Sequence, residues 1–245
     1  MFKIRIAELT AELDNRYAYV KKQCHHYLAS EDDDSDIVAH ATKEQILREM
    51  SIESTLQDEG YAESVCLYRS IAEQLYAFDA FLMHGAVIGF EGKAYAFLAS
   101  SGTGKSTHIR LWREHLKDGV IPVNGDKPIL RFQDGVFTAY GTPWAGKEGW
   151  QRNLGLPLEG ICLLSRGEVN SIVKIKPDQA IASLMRQIYL PKSPEGAIAT
   201  MALIDQMASQ VPIYHMACNM TEDAVKTSFE GMTGLSYIQA KGRYE

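Results

Sequence analysis

Cysteine is sparse in this chain, and its four copies, Cys24, Cys66, Cys162 and Cys218, stand far apart with no CxxC pair. That spacing excludes a zinc ribbon or a dithiol redox site and reads as four reduced thiols. Cys24-His25-His26 has no second ligand pair downstream, and adjacent residues seldom face one ion, so a plain helical or loop segment is expected there. No apolar stretch approaches the roughly 20 residues that span a bilayer. The opening MFKIRIAELTAELD lacks the unbroken apolar run of a secretory leader. A cytoplasmic protein with no membrane partner is expected. A dense run of Lys and Arg is also missing. With a formal net charge of −6, nothing in the sequence would neutralise a nucleic-acid backbone, so nucleic acid is not an expected partner. Internal repeats and low-complexity linkers are absent as well.

What the chain does have is length and apolar content. At 245 residues and 46% hydrophobic, it suits a large domain, or a compact domain with a smaller appendage, whose core needs no disulfides. Phe2 to Ala7 alternate as a strand, and Glu12 to Leu28 are predicted helical. The acidic run Glu31 to Asp36 lacks the glycine and distal glutamate of an EF-hand loop and reads as a solvated turn. Thr42 with Gln45 forms a capping-box pattern ahead of a helix. A longer helix is predicted from Tyr61 to Phe81, with Val65, Tyr68, Ile71, Leu75 and Phe78 on its core face.

Gly85 to Phe90 and Lys93 to Ala99 are apolar runs joined only by Glu91-Gly92, which predicts an antiparallel hairpin. A second hairpin is expected from Pro128 to Tyr140 through Asp134-Gly135. A third is expected from Gly160 to Ile175 through Gly167-Glu168. Helices follow after Pro177, from Glu195 to Gln210, and from Thr221 onward, with a strand at Ile213 to Ala217. The fold class is therefore α/β with a mixed, partly antiparallel sheet flanked by helices. An N-terminal α+β segment, residues 1–82, is expected to pack on a main domain, residues 83–245.

The chemistry centres on Ala99 to Thr107, ASSGTGKST, which lies between an apolar strand and a predicted helix. A glycine-bearing turn at a helix N-terminus aims backbone N–H groups and a dipole at one point, an arrangement suited to polyphosphate. Ser100, Ser101, Gly102, Thr103, Gly104, Lys105, Ser106 and Thr107 are the expected nucleotide-binding residues. Lys105 is placed to reach the β and γ phosphates, and the Ser106 hydroxyl to bind Mg²⁺. Ala99 stands where the GxxxxGK[ST] pattern has its first glycine. The bland alternative is a serine-rich turn with a chance GKS, which would leave a lysine beside a positive dipole end.

Phosphoryl transfer also needs an acid. Asp126, after the strand Val120 to Val123, is the leading candidate for metal ligand or general base, against a turn aspartate opening the next hairpin. Gly141 to Glu148 (GTPWAGKE) is a second loop that carries Lys147 and Glu148 at its tip. It closes over nucleotide or acceptor, or else is a surface turn with Trp144 packed beneath it. His84 is by itself more ordinary as a structural histidine. Arg110, just inside the helix, is a weak candidate.

His84-Gly85, the hairpin into Ser101-Gly102-Thr103-Gly104-Lys105-Ser106, and the aspartate after the next strand resemble the HPr kinase/phosphorylase catalytic domain. More distantly they resemble the phosphoenolpyruvate carboxykinases, which share its P-loop fold. The match covers residues 84–130 well and the element order to about residue 230 more loosely. The resemblance implies that His84 lies beside Asp126 and that both serve catalysis with Lys105. It also implies that Ser106 and Asp126 bind Mg²⁺, and that the protein is a kinase moving the γ-phosphoryl of ATP to a hydroxyl, often serine, of a protein, peptide or small molecule. The family's aspartate pair is reduced here to Gly125-Asp126-Lys127, and Glu148 is a candidate for the second carboxylate. A nucleotide-binding regulatory module without transfer is the alternative reading, and a carboxykinase-like activity is a distant third. The acceptor and the oligomeric state, a homo-oligomer included, stay open.

Overall fold

Phe2, Ile4 and Ile6 alternate with Lys3 and Arg5, a period of two that a strand resolves by burying one face. The computed structural model, which describes residues 1–52, 58–100 and 102–244, forms β1 (Phe2–Ile6) there and pairs it antiparallel with β2 (Leu9–Asp14). The connecting Ala7 and Glu8 have φ of 49° and 61°, the left-handed pair of a tight hairpin, adopted without glycine or asparagine to signal it. This hairpin takes the first residues of the helix expected from Glu12 to Leu28. Only α1 (Ala18–Gln23) is α-helical, followed by a single 3₁₀ turn at His25–Tyr27. The acidic run is an exposed turn, as expected, and its last member, Asp36, accepts the Thr10 N–H at 2.8 Å. β3 (Ile37–His40) then adds parallel to β2 and completes a three-stranded sheet.

α2 (Lys43–Ile52) opens on the expected capping box. Thr42 N–H donates to Gln45 Oε1 at 2.8 Å, and Gln45 N–H donates to Thr42 Oγ1 at 3.2 Å. α3 (Glu59–Ala72) stops well short of Phe81. A 3₁₀ turn, Leu75–Phe78, and Asp79 at φ 52° end the helical path, and the buried Ala-Phe-Leu that follows is β4 (Ala80–Leu82). An apolar run this short satisfies helical and extended patterns alike, and its pairing with a distant strand decided the outcome.

The remaining chain runs β5 (Ala86–Phe90), β6 (Lys93–Leu98), α4 (Lys105–Leu116), β7 (Val120–Asn124), β8 (Ile129–Gln133), β9 (Val136–Tyr140) and β10 (Gly155–Arg166). It continues through β11 (Ser171–Ile175), α5 (Pro177–Met185), α6 (Pro194–Gln210), β12 (Ile213–Cys218), α7 (Glu222–Thr233) and α8 (Tyr237–Tyr244). The larger sheet has the order β4-β8-β9-β10-β6-β5-β7, with β12 beside β10 and β11 beyond β12. The β5/β6 and β8/β9 hairpins form as expected, turning on Glu91-Gly92 and Asp134-Gly135. The third expected hairpin does not form. β12 enters between its two arms, parallel to β10 and antiparallel to β11. The Gly167-Glu168 turn reverses the chain, but the backbone groups of both arms are satisfied by a strand that arrives some forty residues later.

β6, β10 and β12 run parallel to one another, and β5 is antiparallel to both of its neighbours, β6 and β7. The fold is thus mixed α/β, a curled and partly antiparallel sheet between helices. On one face, Ile88 and Phe97 pack against Trp112 of α4 and Phe229 of α7. On the other, Val87, Ala96 and Leu98 pack against Leu184 of α5 and Ile204 and Met207 of α6. Burial on both faces explains why β5 and β6 read as unbroken apolar runs. The small sheet and α3 share a core with Ile129, Tyr140 and Trp144 of the larger unit, and Arg131 donates to the Ala7 carbonyl at 2.8 Å. Among the described residues, no helix is long and apolar enough to cross a membrane.

Candidate functional site

The apolar β6 runs through the middle of the sheet and delivers the chain to a glycine-bearing turn at the N-terminus of α4. Gly102 has φ 76° and Gly104 φ 115°, values that strain any L side chain, and Gly104 is the N-cap of the helix. The first N–H groups of a helix have no partner within it, so this turn presents several donors at the positive end of the α4 dipole. Ser100, Gly102, Gly104, Lys105, Ser106 and Thr107 line an open cleft of about 1380 Å³. Thr103 is not among its lining residues; its N–H closes the turn on the Ser100 carbonyl at 3.1 Å. Ser101 lies outside the described residues.

His84 and Asp126 reach the same cleft because their segments run side by side. Met83 N–H donates to the Pro128 carbonyl at 3.0 Å, and Gly85 N–H to the Asp126 carbonyl at 2.9 Å. His84 N–H donates at 2.6 Å to the carbonyl of Gln187, which follows α5. Asn124, buried at the end of β7, organises the aspartate. Its Oδ1 accepts from the N–H of Asp126 at 2.8 Å and of Lys127 at 2.7 Å, while its Nδ2 donates to the Thr142 carbonyl at 3.0 Å. The Asn-Gly-Asp sequence carried this signal, since asparagine before a turn caps the backbone two residues on.

His84 Nε2 lies 3.2 Å from Asp126 Oδ1 and 3.0 Å from Lys105 Nζ. One nitrogen cannot serve both partners together: unprotonated it accepts from the ammonium, and protonated it donates to the carboxylate. Lys127 Nζ approaches the same Oδ1 at 3.2 Å. Burial pushes the Asp126 pKa up, but the His84 hydrogen bond and the Lys127 and His84 charges more than offset it, and the pKa falls to about 2. Burial dominates at Lys105, and with Lys127 nearby it lowers the pKa to about 8 against the opposing pull of Asp126. The site is built around a permanent carboxylate and a lysine that titrates within reach of neutral pH.

Lys147 and Glu148 stand at the exposed tip of the second loop and line the cleft. Trp144 is buried under that loop, with its indole N–H donating to Ser64 of α3 at 2.8 Å, so the tryptophan ties the loop to the N-terminal unit. Gly146 has φ 72°, and a Cβ there would sit 3.1 Å from the Asp126 Cβ, which brings the loop against the aspartate. Arg110 points away, paired with Glu114 at 3.5 Å on the exposed face of α4. A residue the sequence did not single out, Arg166 at the end of β10, donates to the Gly102 carbonyl at 2.5 Å and braces the glycine turn. Nothing local in the sequence marks it, because the contact depends on the parallel pairing of β10 with β6. Burial raises the pKa of Cys24 to about 12. Among the described residues, no three His, Cys, Asp or Glu side chains converge in a metal-binding group.

No family model matches this chain, and no curated protein matches it. Among solved structures, the Hpr(Ser) kinase/phosphatase from Coxiella burnetii is similar over 67% of this chain and 98% of that one, with 10% identity and a TM-score of 0.35. A likeness at that TM-score carries no assignment of fold or activity.

Proposed function

We propose that the protein is an ATP-dependent kinase of the HPr kinase type, with a P-loop fold, that phosphorylates a hydroxyl group, serine included, on a protein, peptide or small molecule. The observation that carries this reading is the convergence of Lys105 and Asp126 on His84 Nε2, at 3.0 and 3.2 Å, in the cleft that the glycine turn also lines. Residues 83–245 are read as the nucleotide-binding unit and residues 1–82 as a unit packed against it.

In this reading the loop amides, with Ser100, Ser101, Gly102, Thr103, Gly104, Ser106 and Thr107, hold the triphosphate. Lys105 and Lys147 neutralise its charge. The acceptor oxygen forms a bond to the γ phosphorus as the bond to the bridging β–γ oxygen breaks, and ADP leaves with that electron pair. Asp126 is ionised throughout the neutral range, so its carboxylate orients the hydroxyl and accepts its hydrogen bond. His84 stands 3.2 Å from that carboxylate, placed to take the proton onward. The Asp126 carboxylate and the Ser106 hydroxyl are hard oxygen donors lining one cleft, and they suit Mg²⁺, which is ordinarily bound by one or two carboxylates together with substrate phosphates. Bound there, Mg²⁺ would neutralise charge on the phosphates.

The test is ATP- and acceptor-dependent phosphate transfer, abolished in Asp126→Asn. Transfer by that variant at the wild-type rate sinks the assignment. One observation favours the regulatory alternative: the aspartate pair of HPr kinases is reduced here to Gly125-Asp126-Lys127, and Lys127 pairs with Asp126 as an ammonium. Tight nucleotide binding without turnover across peptide and small-molecule acceptors would establish it.

A further inference from the structure

The cleft is larger than the ~300–1,000 Å³ of an ordinary small-ligand pocket, and the phosphate loop supplies only one of its walls. Another wall comes from α1 and α3, where it presents Tyr19, Lys22, Tyr61 and Arg69. Tyr19 and Tyr61 are exposed rings held edge to face, with centroids 6.1 Å apart.

Charge in the cleft runs against that of the chain. Five Lys and Arg face three Asp and Glu there, in a protein of net charge −6. Most of these groups are committed: Arg69 is doubly bonded to the buried Glu49, and Lys127 is bonded to Asp126. Lys105 belongs to the phosphates. Among the described residues, Lys22 and Lys147 have no carboxylate partner, and of these Lys22 lies on the α1/α3 wall.

That wall is also fixed relative to Asp126. Gln23, next to Lys22, donates from Nε2 to the Pro143 carbonyl at 3.1 Å and accepts from Ser64 Oγ at 2.5 Å. Ser64 in turn accepts from Trp144, whose carbonyl takes the Lys127 N–H at 3.2 Å.

We infer that the α1/α3 wall is the acceptor half of the cleft and that the acceptor is a peptide segment carrying a carboxylate near its accepting hydroxyl. Lys22 receives the carboxylate, and Tyr19 with Tyr61 packs the adjoining side chain. The inference rests on the kinase reading for its chemistry and on the wall itself for its specificity. A single uncommitted ammonium matches one or two carboxylates, whereas a nucleic-acid backbone would need a track of cations.

The experiment uses the full chain and three serine peptides that differ only in flanking residues: Asp/Glu, Asn/Gln or Lys. Transfer from ATP and binding to the ADP-loaded protein are measured separately. The acidic peptide is expected to exceed the amide peptide at least tenfold in kcat/KM. Lys22→Glu should remove that preference through KM, favour the Lys-flanked peptide, and leave the ADP Kd within twofold of wild type. Equal rates for the acidic and amide peptides, no effect of Lys22→Glu, or phosphorylation of an oligonucleotide hydroxyl in their place overturns the inference. If no peptide is phosphorylated, binding still decides. Acid-selective binding lost in Lys22→Glu upholds the wall while the kinase reading fails, and absence of peptide binding overturns the wall.

Discussion

Lys105 Nζ stands 3.0 Å from His84 Nε2, so the ammonium and the imidazole bond directly only while that nitrogen keeps its lone pair. The glycine turn and the histidine beside the aspartate are coupled through this contact. On the proposed function, a bound polyphosphate would draw the ammonium to a stronger partner and free Nε2 for Asp126.

On the proposed nucleotide-binding role, the lowered pKa of Lys105, about 8, makes affinity pH-dependent in a stated direction. Below that value the free protein already carries the ammonium. Above it, binding must take up a proton, so the Kd for ATP is expected to rise by up to tenfold per pH unit from about pH 8, until the pKa of the bound lysine is reached. Calorimetry in two buffers of different ionisation enthalpy should show proton uptake at pH 9 and little at pH 7. A Kd flat from pH 7 to 9.5 would contradict the position given to Lys105.

Asp126 has its pKa depressed to about 2 from 3.8. A depressed carboxylate stabilises the fold above its unfolded pKa and loses that contribution as pH falls through 3.8 toward 2. With the side chain 30% exposed, the contribution is about 1–2 kcal/mol. Asp126→Asn should therefore unfold more easily than wild type at pH 7, with the difference shrinking in urea titrations at pH 3.

Gly104→Ala meets no atom of the described residues within 4 Å of the added Cβ, but φ 115° is unfavourable for alanine. The loop must then shift, at a cost of about 1–3 kcal/mol. ATP affinity should fall at least tenfold, with a smaller change in thermal stability. Ala99→Gly, which restores the usual first glycine before the turn, is the natural comparison in the same titration.

Trp144→Phe keeps an aromatic ring under the second loop and deletes the bond to Ser64. The expected destabilisation is about 0.5–1.5 kcal/mol for the lost buried hydrogen bond. If the tether aligns the acceptor wall with Asp126, kcat for peptide transfer should fall more than nucleotide affinity does. A parallel loss of both would assign Trp144 to stability alone.

The glycine turn between β6 and α4 was legible because its signal is local: spaced glycines and a lysine directly after an apolar strand. The hairpins at Glu91-Gly92 and Asp134-Gly135 were legible for the same reason, and so was the Thr42/Gln45 cap. The sequence was silent where pairing is long-range. The Ala7-Glu8 turn has no turn residue, and β4 took the tail of a helical pattern. β12 separated two strands that a short turn seemed to join.

The site divides in the same way. The positive-φ glycines of the turn and the helix start at Lys105 were legible from residue type and spacing, since both are properties of a few consecutive residues. The His84–Asp126 contact follows what the resemblance implied, whereas that Lys105 also meets His84, that Arg166 braces Gly102, and that Trp144 bonds α3 were decided only by tertiary structure. These contacts join residues from 21 to 80 positions apart. Their energy is gained only after the sheet and helices have brought the segments together, so no local pattern records them.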